Sequence, residues 1–405
     1  MSTEIILALC TILLVSYVFD LTSKKTRVPS VILLLLMGWL IKQATHFFGI
    51  LVPDLTDLLP ILGTVGLVLI VLEGSMDLEM DEQSFPLIKK SFYMAFVPFT
   101  IMAIILAFAF HEFGHYPFRE SLINALPFCI ISSAIAIPSV QNWSKNDKGF
   151  ITYESSLSDI IGVVIFNFIA LNTTFSAGTF GYFLLEIVAI LVISILATLG
   201  LSLLLSRLNH HIKFGPILIL VVLIYTITKI YHLPGLIFIM IFGLTLANIK
   251  EIIAKSKINI LKLDHISTEI QQFKDIVAEA TFLIRTMFFI VFGYLIELNE
   301  VINPETIGWA LGIVVVLLLL RVTMLKLLRL KVFPLMFVAP RGLITILLFF
   351  SILLEDRIHF VNQSLIIQVI LLTILVMMVG LIFTKSSSKE TPEEFSASDE
   401  MKTEE

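Results

Sequence analysis

Long apolar runs cover most of the chain, and the short segments between them collect Lys, Arg, Asp and Glu. Mostly apolar stretches of ~17 to 25 residues, the length that crosses a bilayer as a helix, fall at 4–20, 28–47, 58–76, 89–110, 118–141, 150–173, 180–206, 213–230, 234–249, 278–298, 306–325, 334–354 and 364–384. The pattern predicts an all-α membrane protein with thirteen transmembrane helices, since backbone groups in lipid must be satisfied within the span itself. Two spans carry interruptions: Pro127, Ser132-Ser133 and Pro138 in the fifth, Pro334 and Pro340-Arg341-Gly342 in the twelfth. Proline has no N–H to donate and clashes with the preceding turn, so both spans are expected to unwind and free backbone carbonyls. Gly63, Gly66 and Gly74 in the third span and Gly308 and Gly312 in the eleventh predict close helix packing. Residues 258–273 alternate apolar and polar positions at roughly helical spacing, the pattern of an amphipathic helix on the cytoplasmic surface, with a plain linker as the alternative reading. The polar, acidic segment 385–405 has no apolar face to bury and predicts a disordered tail.

Composition agrees with this reading. The chain is 58% hydrophobic and 15% charged, with a mean hydropathy of +0.99, whereas soluble domains carry about 25% charged residues. Cys10 and Cys129 both lie inside spans, which excludes a disulfide framework. The first run carries Glu4 and no basic leader, so it reads as a span and not as a cleaved signal peptide. The loops after odd-numbered spans hold seventeen Lys and Arg and those after even-numbered spans hold four. By the positive-inside rule the N-terminus is expected outside and the C-terminus in the cytoplasm, in a plasma or bacterial inner membrane. If spans 1 to 6 and 8 to 13 are two copies, their odd offset inverts the second relative to the first, the inverted-repeat plan of secondary transporters.

Polar chemistry concentrates in the sixth span, at Glu154-Ser155-Ser156-Leu157-Ser158-Asp159. A charged side chain at mid-bilayer costs ~2.5 to 3.5 kcal/mol on insertion scales, so it faces a protein interior or a wet cavity and marks an ion path. Helical spacing puts Ser155, Asp159 and Gly162 on one face. Glu154 and Ser158 form a second pair about a hundred degrees round the helix. Asp159 is therefore expected to bind and Glu154 to brace.

The motifs, taken in order, resemble the cation/proton antiporter superfamily, most closely its sodium/proton exchanger branch. ESSLSDIIGVVIFNF (154–168) is similar to the family's E-S-x-x-N-D-x-x-x-x-V-x-F-N, and LEGSMDLEM (72–80) to F-E-G-G-L-x-L-D-L. LLRVTM (319–324) is similar to A-R-V/A, and PRGLI (340–344) to L-R-G-A; MFFIVFG (287–293) and TRVPSVILLLLMG (26–38) fit family helices. The resemblance implies inverted six-helix repeats, unwound crossed helices in a moving core domain, a dimerising domain, and elevator-type exchange of a monovalent cation for protons by a homodimer. It implies an interface domain over 1–88 and 207–305, a core domain over 89–179 and 306–384, and a linking helix at 180–206. Residue by residue it makes Asp159 the ion-binding, proton-carrying carboxylate, Ser155 and Glu73 co-ligands, Arg341 the unwound-helix arginine, and Glu154 with Arg321 a bracing salt bridge. The chain departs from the pattern at Ser158, where the family has Asn or Asp, and at Ser132-Ser133-Ala134, where it has T-D-P or T-S-P.

Elementary chemistry supports the same assignment. Hard cations take oxygen ligands, and Asp159, Ser155, Ser132, Ser133, Glu73 and freed carbonyls supply them. A proton and a cation compete for the same carboxylate oxygens, and that competition couples their movements. One Asp instead of two in tandem predicts electroneutral exchange. The expected cargo is Na+ (or K+ or Li+) and H+, with lipid as surroundings, no cofactor, no nucleic acid and no enzymatic activity. Two other readings stand beside this one. The same acidic face could line a cation channel. His111-Glu112-Phe113-Gly114-His115 has the H-E-x-x-H spacing of an intramembrane zinc metalloprotease, although Gly114 and Pro117 predict that the helix stops before His115 is held. Arg285 stands inside the tenth span with no counterpart in the motifs.

Overall fold

The computed structural model describes residues 2–26, 28–50, 52–78, 85–172, 176–207, 214–231, 235–249 and 263–383. Among these residues every regular element is helical. In chain order the helices are α1 (Ser2–Thr26), α2 (Ser30–Phe47), α3 (Leu58–Met76), α4 (Phe85–Gly114), α5 (Phe118–Ala125), α6 (Ser133–Ser139), α7 (Lys145–Leu171), α8 (Ala177–Arg207), α9 (Phe214–Ile230), α10 (Gly235–Ala247), α11 (Leu263–Leu295), α12 (Leu298–Val301), α13 (Pro304–Leu327), α14 (Leu343–Ser351) and α15 (Gln363–Phe383). Nine segments among the described residues are long and apolar enough to cross a membrane, and Cys10–Thr22, Phe214–Ile230 and Gly235–Ala247 are shorter apolar stretches. The predicted twelfth span is not one helix: a 3-10 turn (Leu335–Phe337) and a stretch without regular structure precede α14.

Local sequence explains where the site-bearing helices begin. Ser144 caps α7, accepting the Asp147 N–H at 3.2 Å. Asn303 does the same for α13 by accepting the Glu305 N–H at 3.1 Å, with Pro304 in the first turn, where its missing N–H costs nothing.

Small residues set the helix spacing. A Cβ added at Gly38 would lie 2.2 Å from Ile290 O, and one at Gly293 would lie 2.3 Å from Leu35 O, so the backbones of α2 and α11 touch in both directions. Without a hydrophobic driving force between helices in lipid, such close packing is what holds spans together. Gly63 meets Leu347 of α14, Gly66 meets Ile284 of α11, and Gly74 meets Ile137 of α6 and Ser156 of α7. These three glycines thread α3 between the other helices, as its sequence predicts. Gly308 and Gly312 do not pack against any described residue: none lies within 4 Å of a Cβ at either. They share a face of α13 with Leu311 and Val315, both half exposed, and that face turns away from the chain.

The segment 258–273 also differs from expectation. Residues 258–262 lie outside the described residues. From Leu263 on, the segment is the opening of α11, continuous with the membrane span. Phe273 is fully buried, with its ring 6.0 Å from that of Phe214 and 6.4 Å from that of Phe242, so its apolar face meets protein. The predicted tail 385–405 lies outside the described residues.

Candidate functional site

Both interrupted spans unwind, and their broken stretches meet. The fifth leaves helical geometry after a 3-10 turn (Leu126–Cys129), runs extended through Ile130, Ile131 and Ser132, and becomes helical again at Ser133. The twelfth has no regular structure from Val338 to Gly342. Where they cross, the Ser132 N–H donates to Pro340 O at 2.9 Å. A Cβ at Gly342 would lie 2.6 Å from Ile135 Cδ1 and 2.9 Å from Ser132 Oγ, so this close approach depends on a residue without a side chain.

Unwinding inside a membrane frees backbone groups that must find partners. Arg341 answers several of them. Its Nε donates to Phe128 O at 2.6 Å, Nη2 to Cys129 O at 3.4 Å and Nη1 to Ala339 O at 3.0 Å. The planar fork of five donors allows one side chain to stitch both broken stretches. Its backbone N–H donates to Thr373 Oγ1 of α15 at 3.0 Å. Ser158 accepts the Ile131 N–H at 3.0 Å, so the residue that departs from the family's Asn or Asp serves the unwound backbone.

Asp159 sits beside this crossing with no measurable exposure. Its Oδ2 accepts from Ser133 Oγ at the start of α6. Among the described residues its Oδ1 has no hydrogen-bond partner, and neither does Ser132 Oγ nearby. No Lys or Arg pairs with Asp159 among the described residues. The gap left by Gly162 is filled by Ile130, whose Cδ1 stands 2.2 Å from where a Cβ would be. Ser155, one turn before Asp159, is buried, but its hydroxyl donates to Ile151 O at 2.8 Å within its own helix.

Glu154 is equally buried and fully paired. Arg321 of α13 holds it with Nη1 to Oε1 at 2.6 Å and Nη2 to Oε2 at 3.0 Å, while Nε donates to Leu335 O at 2.8 Å. Glu73 is not brought into contact with Asp159. It is half-buried on α3 beside Thr281 and Arg285 of α11, with Asp77 and Lys274 close by. Lys274 pairs with Asp77 at 2.6 Å, and Arg285 reaches Asp20 of α1 at 3.9 Å. Arg285 thus belongs to a polar cluster that ties α1 and α3 to α11.

The H-E-x-x-H turn does not assemble as a zinc site. Helix α4 ends at Gly114, His115 takes a left-handed backbone (φ 56), and His111 Nδ1 engages Tyr116 O at 2.6 Å. No group of three or more His, Cys, Asp and Glu among the described residues is placed to hold a metal ion. The residue that sequence reasoning passed over is Thr373, which anchors the Arg341 backbone. Its only signal was a lone hydroxyl in the apolar run LLTILV.

A family model described as sodium/hydrogen exchanger, transmembrane, matches residues 9–385. Among solved structures, that of the sodium proton antiporter MjNhaP1 from Methanocaldococcus jannaschii at pH 8 aligns with a TM-score of 0.69 and 18% sequence identity, covering 94% of this chain and 100% of that one. An electron-microscopy structure of the same antiporter aligns with a TM-score of 0.70 and 18% identity over 94% of this chain and 95% of that one. At that identity the similarity establishes the fold. No curated protein matches the sequence.

Proposed function

The chain belongs to the sodium/hydrogen exchanger family, and we propose that Asp159 is the seat at which it exchanges a monovalent cation, Na+ in the first instance, for a proton. One observation carries the reading: a fully buried carboxylate at the crossing of two unwound helices has, among the described residues, no partner for one oxygen and no fixed cation beside it. A charge left unpaired in so dry a place is costly. Either a proton or a cation removes that cost, and both use the same oxygens, so one excludes the other. The empty, charged site is the form least able to move, which makes the exchange obligatory.

Asp159 Oδ1 and Ser132 Oγ are the free ligands, Ser133 orients the carboxylate, and Ser155 contributes the lone pair its own hydrogen bond leaves unused. Glu73 acts as a carboxylate on the approach to the site. Arg341, Ser158 and the Glu154–Arg321 pair hold the crossing in shape around them. With a single titrating Asp the exchange is electroneutral. The core formed by 89–179 and 306–384 moves as an elevator against an interface formed by 1–88 and 207–305, with residues 180–206 as the link, in a homodimer whose N-terminus lies outside and C-terminus in the cytoplasm.

The test is a pH-gradient dequenching assay in proteoliposomes, run with Na+, K+ and Li+ on the wild type and on Asp159→Asn. Exchange is expected in the wild type and background signal in the variant, with an apparent KM for Na+ that rises as pH falls because protons compete. Full exchange by Asp159→Asn overturns the assignment, and wild-type current under voltage clamp overturns electroneutrality.

A further inference from the structure

Three serines lie on α7 between Glu154 and Asp159, and the structure uses them differently. Ser155 spends its hydroxyl on Ile151 O, and Ser158 accepts the Ile131 N–H. Ser156 has no hydrogen-bond partner among the described residues, although the residue is 2% exposed and its Oγ is buried. That hydroxyl faces α3: a Cβ built on Gly74 would lie 3.3 Å from Ser156 Oγ. The residue before Gly74 is Glu73, the half-buried carboxylate of the α3–α11 cluster. Asp159 follows Ser156 by three residues, which places the two on adjacent turns of one helix face.

We infer that Ser156 is a cation ligand beside Asp159, a role that rests on reading Asp159 as the ion seat. Three features support it together. A buried hydroxyl without a partner is a standing cost that an incoming cation or its hydrating water relieves. The oxygen is hard and neutral, so it can bind a partly dehydrated Na+ and release it, without the retention a third carboxylate would impose. The residue opposite on α3 is a glycine, so no α3 side chain lies between that backbone and the hydroxyl, and Ile137 Cδ1 of α6 stands 3.3 Å from the same point.

The experiment measures Na+-dependent exchange by full-length protein in proteoliposomes for the wild type, Ser156→Ala, Ser156→Thr and Asp159→Asn, together with the melting temperature of each with and without Na+. Ser156→Ala is expected to raise the KM for Na+ about fivefold to tenfold, the loss of one modest oxygen contact, with kcat within about twofold of wild type. Its melting temperature without Na+ should hold or rise, since a buried polar group has gone, while the upward shift on adding Na+ shrinks. Ser156→Thr, which restores the hydroxyl, should recover the lower KM. A merely structural serine would move stability and leave the KM alone. If Asp159→Asn abolishes exchange but Ser156→Ala keeps the wild-type KM, the inference about Ser156 fails and the reading of Asp159 stands. If Asp159→Asn still exchanges, the reading itself fails. Should Ser156→Ala not give folded protein, Ser156→Cys replaces the hard oxygen with a soft sulfur at similar volume. It carries the same expected rise in KM and the same reversal.

Discussion

Glu154 and Asp159 are five residues apart on α7, both are buried carboxylates, and they are treated in opposite ways. Around Glu154 the structure supplies a complete answer to the charge: two guanidinium contacts from Arg321, whose third donor is tied to Leu335 O. Around Asp159 the described residues supply a hydroxyl to one oxygen and nothing to the other. The same acid group is therefore a strut in one region and, on the function proposed above, the ion seat in the other. Burial does not distinguish the two; the presence of a fixed counter-charge does. Arg341 completes the contrast, because its donors go to backbone carbonyls and not to Asp159, which leaves the carboxylate free to be neutralised by whatever ion arrives.

The comparison breaks most sharply at Asp159. Asp159→Asn should reduce exchange to background while its melting temperature in the absence of Na+ stays level or rises, since a buried, uncompensated charge has been removed; a large drop in stability would show that Asp159 is a strut as well. Arg321→Gln should do the reverse. It strands Glu154 as a buried lone charge and should cost about 3 to 5 kcal/mol of stability, measured by thermal or denaturant melts. Adding Glu154→Gln to that variant should recover part of the loss, because the two residues are coupled.

A smaller effect is expected at Arg341. Arg341→Lys keeps the charge but loses the fork that reaches Phe128, Cys129 and Ala339, and should cost about 1 to 3 kcal/mol with slower exchange at an unchanged Na+ KM. Last is Gly162→Ala, where the new methyl would lie 2.2 Å from Cδ1 and 2.3 Å from Cγ1 of Ile130. Overpacking of this kind costs about 1 to 3 kcal/mol, and Ile130→Ala in the same chain, which removes both of those carbons, should restore part of the stability.

Much of the fold was legible along the chain. Spans were visible because a membrane admits only long apolar helices, and the two breaks because Ser132-Ser133, Pro138 and Pro340-Arg341-Gly342 interrupt such runs. The location of the fifth span's break was not: Pro127 lies in a 3-10 turn and Pro138 inside α6, and the unwinding falls between them at Ile130–Ser132, where the other broken stretch takes up the freed backbone. Glycine spacing correctly marked α3 as a packed helix but gave the same signal at Gly308 and Gly312, which pack against none of the described residues. The periodicity of 258–273 could not tell a surface helix from the start of α11, because an apolar stripe looks the same whether it meets lipid headgroups or Phe214 and Phe242.

The candidate site divides along the same line. By itself the sequence determined that this is a polytopic helical membrane protein, that Asp159 and Glu154 must be sheltered within it, and that two spans unwind, since each follows from the cost of polar groups in lipid. The motif resemblance already paired Glu154 with Arg321; only the tertiary structure decided that Ser155 turns back to its own helix while Ser156 faces α3, and that Glu73 lies with the α11 cluster. Those outcomes depend on what stands opposite each side chain, and helical spacing fixes a direction around one axis without saying which neighbour waits there.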